Sequence, residues 1–322
     1  MIVIPLVGLF HLEQNIPLAI AIVVFSSLGF AGGATIQHLA VERAIDSQAH
    51  NTAMSLRELL ALLKNKLWLI GLATVLVGAS LHAVGLALAP VTVVQPVGIL
   101  AVPWSVLLAA KLHGFRPSKI IWFAVGMTLV GIAGFTVFSA ATAAKHTVLV
   151  PWAIIAGVLV VFAAGSLLAF LGLKGRDTRR CLMLASAGSF FFGLSPTMLK
   201  ILFELLGKEQ YWTMPLFWSV VVFLLICYSS GGWLVQQAYA SGPAEIVVGS
   251  MTTTDPIVAV VFGIVVLGEG AFLGPLEAVG MLIFGAIAVG GVVVLSKYHP
   301  DALARRTPVA VTTTAMEPEP LG

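Results

Sequence analysis

The hexapeptide GMTLVG at residues 126–131 recurs in altered form as GMLIFG at residues 280–285. In each copy two prolines 13 residues apart precede the hexapeptide. They are Pro90 and Pro103 in the first copy and Pro243 and Pro256 in the second. Each copy has the same order of a helix, a Pro-containing helix and a Gly-rich helix. The chain is therefore predicted to contain an internal repeat, which in a membrane protein is typical of transporters.

The composition predicts a protein that lies in a membrane throughout its length. Hydrophobic residues make up 59% of the chain and charged residues 10%, and the mean hydropathy is +1.04. Such a chain has too little polar surface to be soluble. The net charge of +3 lies in loops between apolar runs, which excludes a nucleic-acid-binding face. Cys181 and Cys227 lie inside apolar runs without ligand spacing, which favours simple packing over a disulfide or a zinc site.

Nine apolar runs are long enough to cross a bilayer, which takes about 20 helical residues. They are residues 17–40, 67–89, 92–112, 119–140, 150–172, 181–204, 213–236, 244–267 and 275–296. Four prolines inside these spans are predicted helix breaks. They are Pro96, Pro103, Pro196 and Pro256.

The basic residues predict the orientation of the chain. Of 17 Lys and Arg residues, 14 fall on one side of the nine spans and two, Lys145 and Lys208, on the other, while Lys200 lies within a span. Because positive loops stay cytoplasmic, residues 1–16 are predicted outside and the C-terminus inside a plasma (inner) membrane.

This topology gives the repeat a physical meaning. Residues 17–140 hold spans one to four, residues 150–172 form a linker helix, and residues 181–296 hold spans six to nine. An odd helix between the copies makes them cross the bilayer in opposite directions. The predicted fold is an all-α membrane protein of two inverted four-helix repeats, which places a substrate site between them near the midplane.

Two cytoplasmic segments lie outside the spans. Residues 55–64 combine a capping-box spacing with leucines on one face, which predicts a helix on the inner membrane surface. Gating or regulation and the anchoring of the second span are both open as its role. Residues 297–322 lack an apolar period and are predicted to be a disordered tail.

Short motifs carry a resemblance to a known family. The stretch ALAPVTVVQPVG at residues 87–98 resembles the NIPA-like branch of the drug/metabolite transporter superfamily. In the second copy AEIVV at 244–248, TDPIVAV at 254–260 and LGE at 267–269 are similar to EamA-like members. The resemblance implies a nine-span transporter, and its NIPA-like side implies Mg²⁺ as substrate. The first copy departs from the pattern, with LHG at 112–114 where relatives carry a Gly-Glu pair.

Asp255 is the clearest candidate for chemistry, because it lies about halfway along an apolar span. A charged carboxylate at that depth costs several kcal/mol unless it faces water, a cation or a partner. One interpretation is a protonatable or cation-binding group. The other is an N-cap, with Pro256 starting a second helix. The two interpretations are compatible, because transporters place sites at broken helices. Thr252 and Thr254, just before Asp255, are further candidates for substrate or coupling contacts.

Other polar residues in or beside the spans are further candidates for substrate or coupling contacts. Lys200 and Glu204 are four residues apart, so they share a helix face. Lys200 either attracts an anion or neutralises a carboxylate, or it extends outward and pairs with Glu204.

The remaining candidates lie near the two ends of the spans. Glu245, with Gln236 close before it, starts the eighth span and either lines an inner vestibule or is solvated at the interface. His82 and Gln95 are placed in the outer half of the interior, where either a substrate contact or a bond to a backbone carbonyl is open.

Two classes of function stay open. The first is a secondary transporter of a small organic metabolite, drug or lipid precursor, with Mg²⁺ as the alternative substrate. Mg²⁺ ranks second because it prefers several oxygen ligands and the interior offers one deep acid. The second class is a non-transporting scaffold or regulator with the same fold. No enzyme motif, cofactor motif or nucleic-acid partner is predicted, the metal ligands are undefined, and a homodimer is left open.

Overall fold

Ten α-helices make up the fold in the computed structural model, which describes residues 13–44, 64–112, 114, 116–144, 147–242 and 244–298. One 3₁₀ turn at Tyr211–Thr213 accompanies them. In chain order the helices are α1 (Ile16–Ala44), α2 (Lys66–Leu88), α3 (Val91–Gly98), α4 (Ala101–Leu112), α5 (Lys119–Ala141), α6 (Pro151–Lys174), α7 (Asp177–Leu206), α8 (Pro215–Tyr239), α9 (Ala244–Val265) and α10 (Pro275–Lys297).

Because α3 and α4 together cross the apolar thickness, the described residues contain nine segments long and apolar enough to span a membrane. This confirms the nine predicted spans, whose ends agree with the helices to about one turn. Large apolar side chains also face outward, with Trp152 74% exposed on α6 and Leu282 73% exposed on α10. A bilayer covers such surfaces, so the chain is a multi-pass membrane protein. The predicted surface helix at 55–64 and most of the predicted tail lie outside the described residues.

The third span is interrupted between two prolines. Helix α3 contains Pro96 and ends at Gly98, and α4 begins at Ala101 with Pro103 in its first turn. A proline inside a helix lacks the N–H donor and crowds the carbonyl four residues earlier, which accounts for the interruption between Gly98 and Ala101.

Pro196 and Pro256 do not break their helices, so the predicted breaks at these two residues are wrong. Both α7 and α9 run on through their proline. In a membrane the neighbouring helices and nearby Ser or Thr hydroxyls satisfy backbone groups, so a helix tolerates proline without ending.

Small residues let neighbouring helices approach closely. Helix α1 packs on α2, and α7 packs on α8. A Cβ on Gly33 would lie 2.8 Å from the Gly71 carbonyl oxygen, and a Cβ on Gly188 would lie 3.1 Å from the Gly231 carbonyl oxygen. Van der Waals contact between close backbones is a main source of helix association in lipid, where the hydrophobic effect contributes little.

Helices α5 and α10 form a second close contact. A Cβ on Gly131 would overlap the backbone of Ala288, and one on Gly134 would overlap the ring of Phe284. These positions on α5 therefore require glycine at the observed helix separation.

Replacement of Gly131 by valine should lower the free energy of unfolding by about 2 kcal/mol, because the new side chain forces α5 away from α10. Equilibrium unfolding of the purified protein in mixed micelles measures this change. The matched control is Gly126→Val on the same helix, since a Cβ on Gly126 has no atom within 4 Å. Equal losses in the two variants would show that the α5–α10 contact does not require Gly131.

Candidate functional site

Asp255 lies on α9 where this helix passes closest to α7. A Cβ on Gly193 of α7 would lie 2.5 Å from the Asp255 carbonyl oxygen. The Ser189 hydroxyl, one turn earlier on α7, is the side chain that faces the Asp255 carboxyl group. Oδ1 of Asp255 and Oγ of Ser189 are both buried, and neither makes a hydrogen bond of standard geometry to any residue that the structure describes. Because an unpaired buried polar atom is costly, these two atoms form a site that is able to bind a polar group.

The N-cap interpretation of Asp255 is wrong, because α9 is helical from Ala244 to Val265 and Asp255 lies in its interior. The threonines before it bond within the helix. The Thr253 hydroxyl donates to the Gly249 carbonyl at 2.8 Å, as Thr252 does to its own neighbour one turn back. Thr254 is partly buried on the same helix. A cap role therefore does not explain a carboxylate at this position.

A buried group of charges lies farther along the same face of α7. Lys200 is only 1% exposed, and its Nζ is 3.4 Å from Oε1 of Glu204. The Thr147 hydroxyl donates to the same Glu204 oxygen at 3.1 Å. The predicted pairing of Lys200 with Glu204 is therefore observed, but the predicted outward extension is not, because the ammonium group is enclosed.

Glu269, in the connection between α9 and α10, completes this charged group and is 4% exposed. Its Oε1 accepts the Val91 amide and its Oε2 accepts the Thr92 amide, each at 2.8 Å. Burial raises the pKa of the Glu269 carboxyl group, while the Thr92 and Val91 amides and the charge of Lys200 oppose this rise. The carboxylate also meets the free N–H groups and the partial positive charge at the start of α3.

Ser189 and Lys200 share one face of α7, because eleven residues make about three helical turns. The same geometry separates the Asp255 pair from the charged group by roughly 16 Å along the helix. The structure therefore places the predicted Asp255 and the predicted Lys200–Glu204 pair in two separate groups. Asp255 lies with Ser189, and Lys200 and Glu204 lie at the end of the bundle that also holds Glu269.

His82 and Gln95 form a third polar contact, between α2 and α3. Their Nε2 atoms are 3.3 Å apart, and the Phe30 ring meets the His82 ring edge-on with centroids 6.0 Å apart. A Cβ on Gly98 would lie 3.2 Å from Cε1 of His82, so this glycine makes room for the imidazole. The side chain of His82 thus contacts Gln95, and the predicted bond to a backbone carbonyl is not the contact observed.

The structure describes the side chain of one of the two residues predicted to line an inner vestibule, and that side chain lies outside these groups. Gln236 is exposed near the end of α8, and the side chain of Glu245 lies outside the described part of the structure. Among the described residues, no group of three or more His, Cys, Asp or Glu side chains is placed to hold a metal ion.

Two residues of these groups were not predicted from the sequence. Glu269 was quoted only as part of the LGE motif. Its role was not predictable, because its partners are backbone amides 177 and 178 residues away. Ser189 had no signal in an apolar span that also contains other serines. The signal that points to Glu269 is a Gly-Glu pair directly after a span that carries a deep acid.

The comparisons with known proteins add one relative. The chain is 27% identical over 291 residues to an uncharacterised protein of Corynebacterium glutamicum, a match that covers 89% of this chain and 96% of that protein. No protein-family model matches the chain, and no solved structure matches it.

Proposed function

We propose that this protein is a secondary transporter of the drug/metabolite type that moves a small organic metabolite, drug or lipid precursor by alternating access. The observation that carries the proposal is the pair of buried, unpaired polar atoms on Asp255 and Ser189. A scaffold gains nothing from an unsatisfied carboxylate halfway along a membrane helix, where it lowers stability. A transporter needs such a group to bind a substrate or a coupling proton.

The proposed path of alternating access lies between two inverted copies. The geometry at several positions supports the proposal that the chain contains two such copies. Gly114 and Gly268, 154 residues apart, both have positive φ angles of +68° and +73°. The same offset relates Gly131 to Gly285, and Gly134 to Ala288, and all four lie where α5 packs on α10. Two copies related by a two-fold axis have matching backbone turns. They also have a contact between equivalent helices, at which the same positions of both helices lie.

An organic substrate is favoured over Mg²⁺ by the surroundings of Asp255. Mg²⁺ prefers an octahedral shell of oxygens with one or two carboxylates and several waters. Here one carboxylate faces one hydroxyl across a close α7–α9 contact, which suits a single hydrogen-bonding or cationic group.

We expect the C-terminus on the cytoplasmic side, because 14 of the 17 Lys and Arg residues fall in loops on that side of the spans. Reporter fusions after Gly322 measure this: a cytoplasmically active reporter should work and a reporter that needs export should not. A matched pair of fusions after Lys208, in the connection between α7 and α8, should give the opposite result. Activity of the exported reporter after Gly322 would overturn the orientation.

A transport screen tests the proposed function directly. Wild-type protein and Asp255→Asn are reconstituted in liposomes and challenged with a panel of organic cations, neutral metabolites, lipid precursors and Mg²⁺. The proposal expects uptake of an organic compound that depends on Asp255. A wild-type protein that moves no compound in the panel, or that moves only Mg²⁺, would contradict it.

A further inference from the structure

The Glu269 carboxylate connects two parts of the chain at one end of the helix bundle. It accepts the Val91 and Thr92 amides at the start of α3, and it belongs to the connection that follows α9. Those parts fall in different proposed copies. Hydrogen bonds from N–H groups to a buried carboxylate are short and strong, so this contact holds the copies together more firmly than apolar packing alone.

Further segments meet at the same place. Lys200 of α7 lies against Glu204 and contributes its charge to Glu269. The segment before α6 contacts both neighbours: Thr147 donates to Glu204, and the Val148 amide donates to the Leu267 carbonyl at 3.0 Å. This end of the bundle is therefore closed by buried charges and hydrogen bonds.

The backbone around Glu269 leaves space for its carboxylate. A Cβ on Gly263 of α9 would lie only 2.7 Å from Oε2 of Glu269, so that any larger residue would displace the carboxylate. The preceding Gly268 has a φ of +73°, a left-handed conformation that favours glycine. Both glycines thus serve to place the carboxylate on the amides of α3.

We propose that Glu269 is the positioning residue that closes this end of the transporter, and that the end opens when Glu269 releases the Val91 and Thr92 amides. The inference rests on the proposed alternating access, which requires each end to open in turn. While bound, Glu269 holds α3 against α9. Once released, it leaves two unsatisfied amides that water reaches as the copies separate.

At the equivalent turn of the first copy, the sequence places a different residue. Gly114 has the same backbone conformation as Gly268, but Phe115 follows it where Glu269 follows Gly268. A phenylalanine side chain has no acceptor for an amide. The two ends are therefore expected to open with different ease, and Glu269 favours closure at its own end.

Thiol labelling in lipid nanodiscs tests the proposal, because both faces are accessible and no substrate is needed. The probe is Val94→Cys on α3, at a position 1% exposed, one turn from the amides that Glu269 binds. Two variants release the carboxylate in different ways. Glu269→Gln replaces one acceptor oxygen by a donor, and Gly263→Ala displaces the carboxylate and keeps every charge. Each should raise the rate at which a water-soluble maleimide labels residue 94 by at least about tenfold.

Each of the two variants has a matched control. Glu277→Gln changes an acid in the first turn of α10, and Gly249→Ala adds a methyl group on α9 where the nearest atom is 3.8 Å away. Both should label at the wild-type rate. The native Cys181 and Cys227 are fully buried and report general loosening when their labelled peptides are separated by mass spectrometry.

Labelling of residue 94 at the wild-type rate in both Glu269→Gln and Gly263→Ala would overturn the proposal. A parallel rise at Cys181 and Cys227 would overturn it too, since it would show loss of folding and no opening at one end. A failed transport screen would contradict the proposed function but would not change the labelling rates, so the two failures are distinguishable.

Discussion

Asp255→Asn should reduce transport by at least about tenfold while the protein still inserts and folds, a loss that corresponds to about 1.4 kcal/mol or more. The substitution keeps the size of the side chain and removes its charge and its ability to exchange a proton. If Asp255 binds a cationic group or a coupling proton, both abilities are lost together. Initial uptake rates in proteoliposomes, at equal protein content and over a range of pH, measure the effect.

The continuous α9 helix makes this substitution easier to interpret. Asn caps a helix about as well as Asp, so a cap would have been unaffected, but Asp255 is not a cap. The remaining structural role is the position of the carboxyl group beside the Ser189 hydroxyl, and an Asn side chain of the same shape keeps this position. A loss of transport is therefore assigned to the charge.

Glu277→Gln is the matched control for Asp255→Asn, because it removes an acid from the first turn of α10 without touching α7 or α9. Its uptake should equal that of wild type. The Asp255 assignment fails if the Asn variant transports at the wild-type rate at every pH tested. It also fails if Ser189→Ala lowers the uptake rate by the same factor in the wild-type background and in the Asp255→Asn background. The Ser189 hydroxyl would then be the group that binds the substrate.

The sequence predicted the number and ends of the spans well, because both follow from local properties. A run of about 20 apolar residues has to be helical in a bilayer, where every backbone group must be satisfied within the protein. The prolines were harder to interpret. Pro96 lies beside a real interruption, whereas Pro256 lies in an unbroken helix. The difference depends on what surrounds each proline, and a single sequence does not contain that information.

Only part of the candidate site was predictable from the sequence, because the rest depends on contacts between distant segments. Asp255 stood out because a lone acid in an apolar run is rare. Glu269 did not stand out, because an acid in a short connection between spans is ordinary. Its burial and its contact with the start of α3 depend on two segments that are far apart in the chain. The burial of Lys200 likewise depends on segments that pack around α7 and are far away in the sequence.

Lys200→Met should lower the free energy of unfolding by about 3 kcal/mol, the low end of the cost of breaking a buried ion pair by removing one partner. Methionine replaces the aliphatic part of lysine, so the loss of packing is small. The charge is what changes. Glu269 stays enclosed with no cation near it, while Glu204, which is 35% exposed, is partly relieved by water. Unfolding in mixed micelles, followed by tryptophan fluorescence, measures the loss.

The control Lys208→Met removes a lysine of the same charge that is exposed just after α7, so its effect should be within about 0.5 kcal/mol of zero. Glu204→Gln alone should cost only about 1 kcal/mol, because Glu204 is 35% exposed and the charge of Lys200 still acts on Glu269. The double variant Lys200→Met/Glu204→Gln should lose less free energy of unfolding than the sum of the two single variants. Lys200→Met leaves the Glu204 carboxylate without its cation, and Glu204→Gln removes that carboxylate. Additive losses, or equal losses for Lys200→Met and Lys208→Met, would mean that Lys200 does not hold these carboxylates. The closure of this end would then depend on the amides of α3 alone.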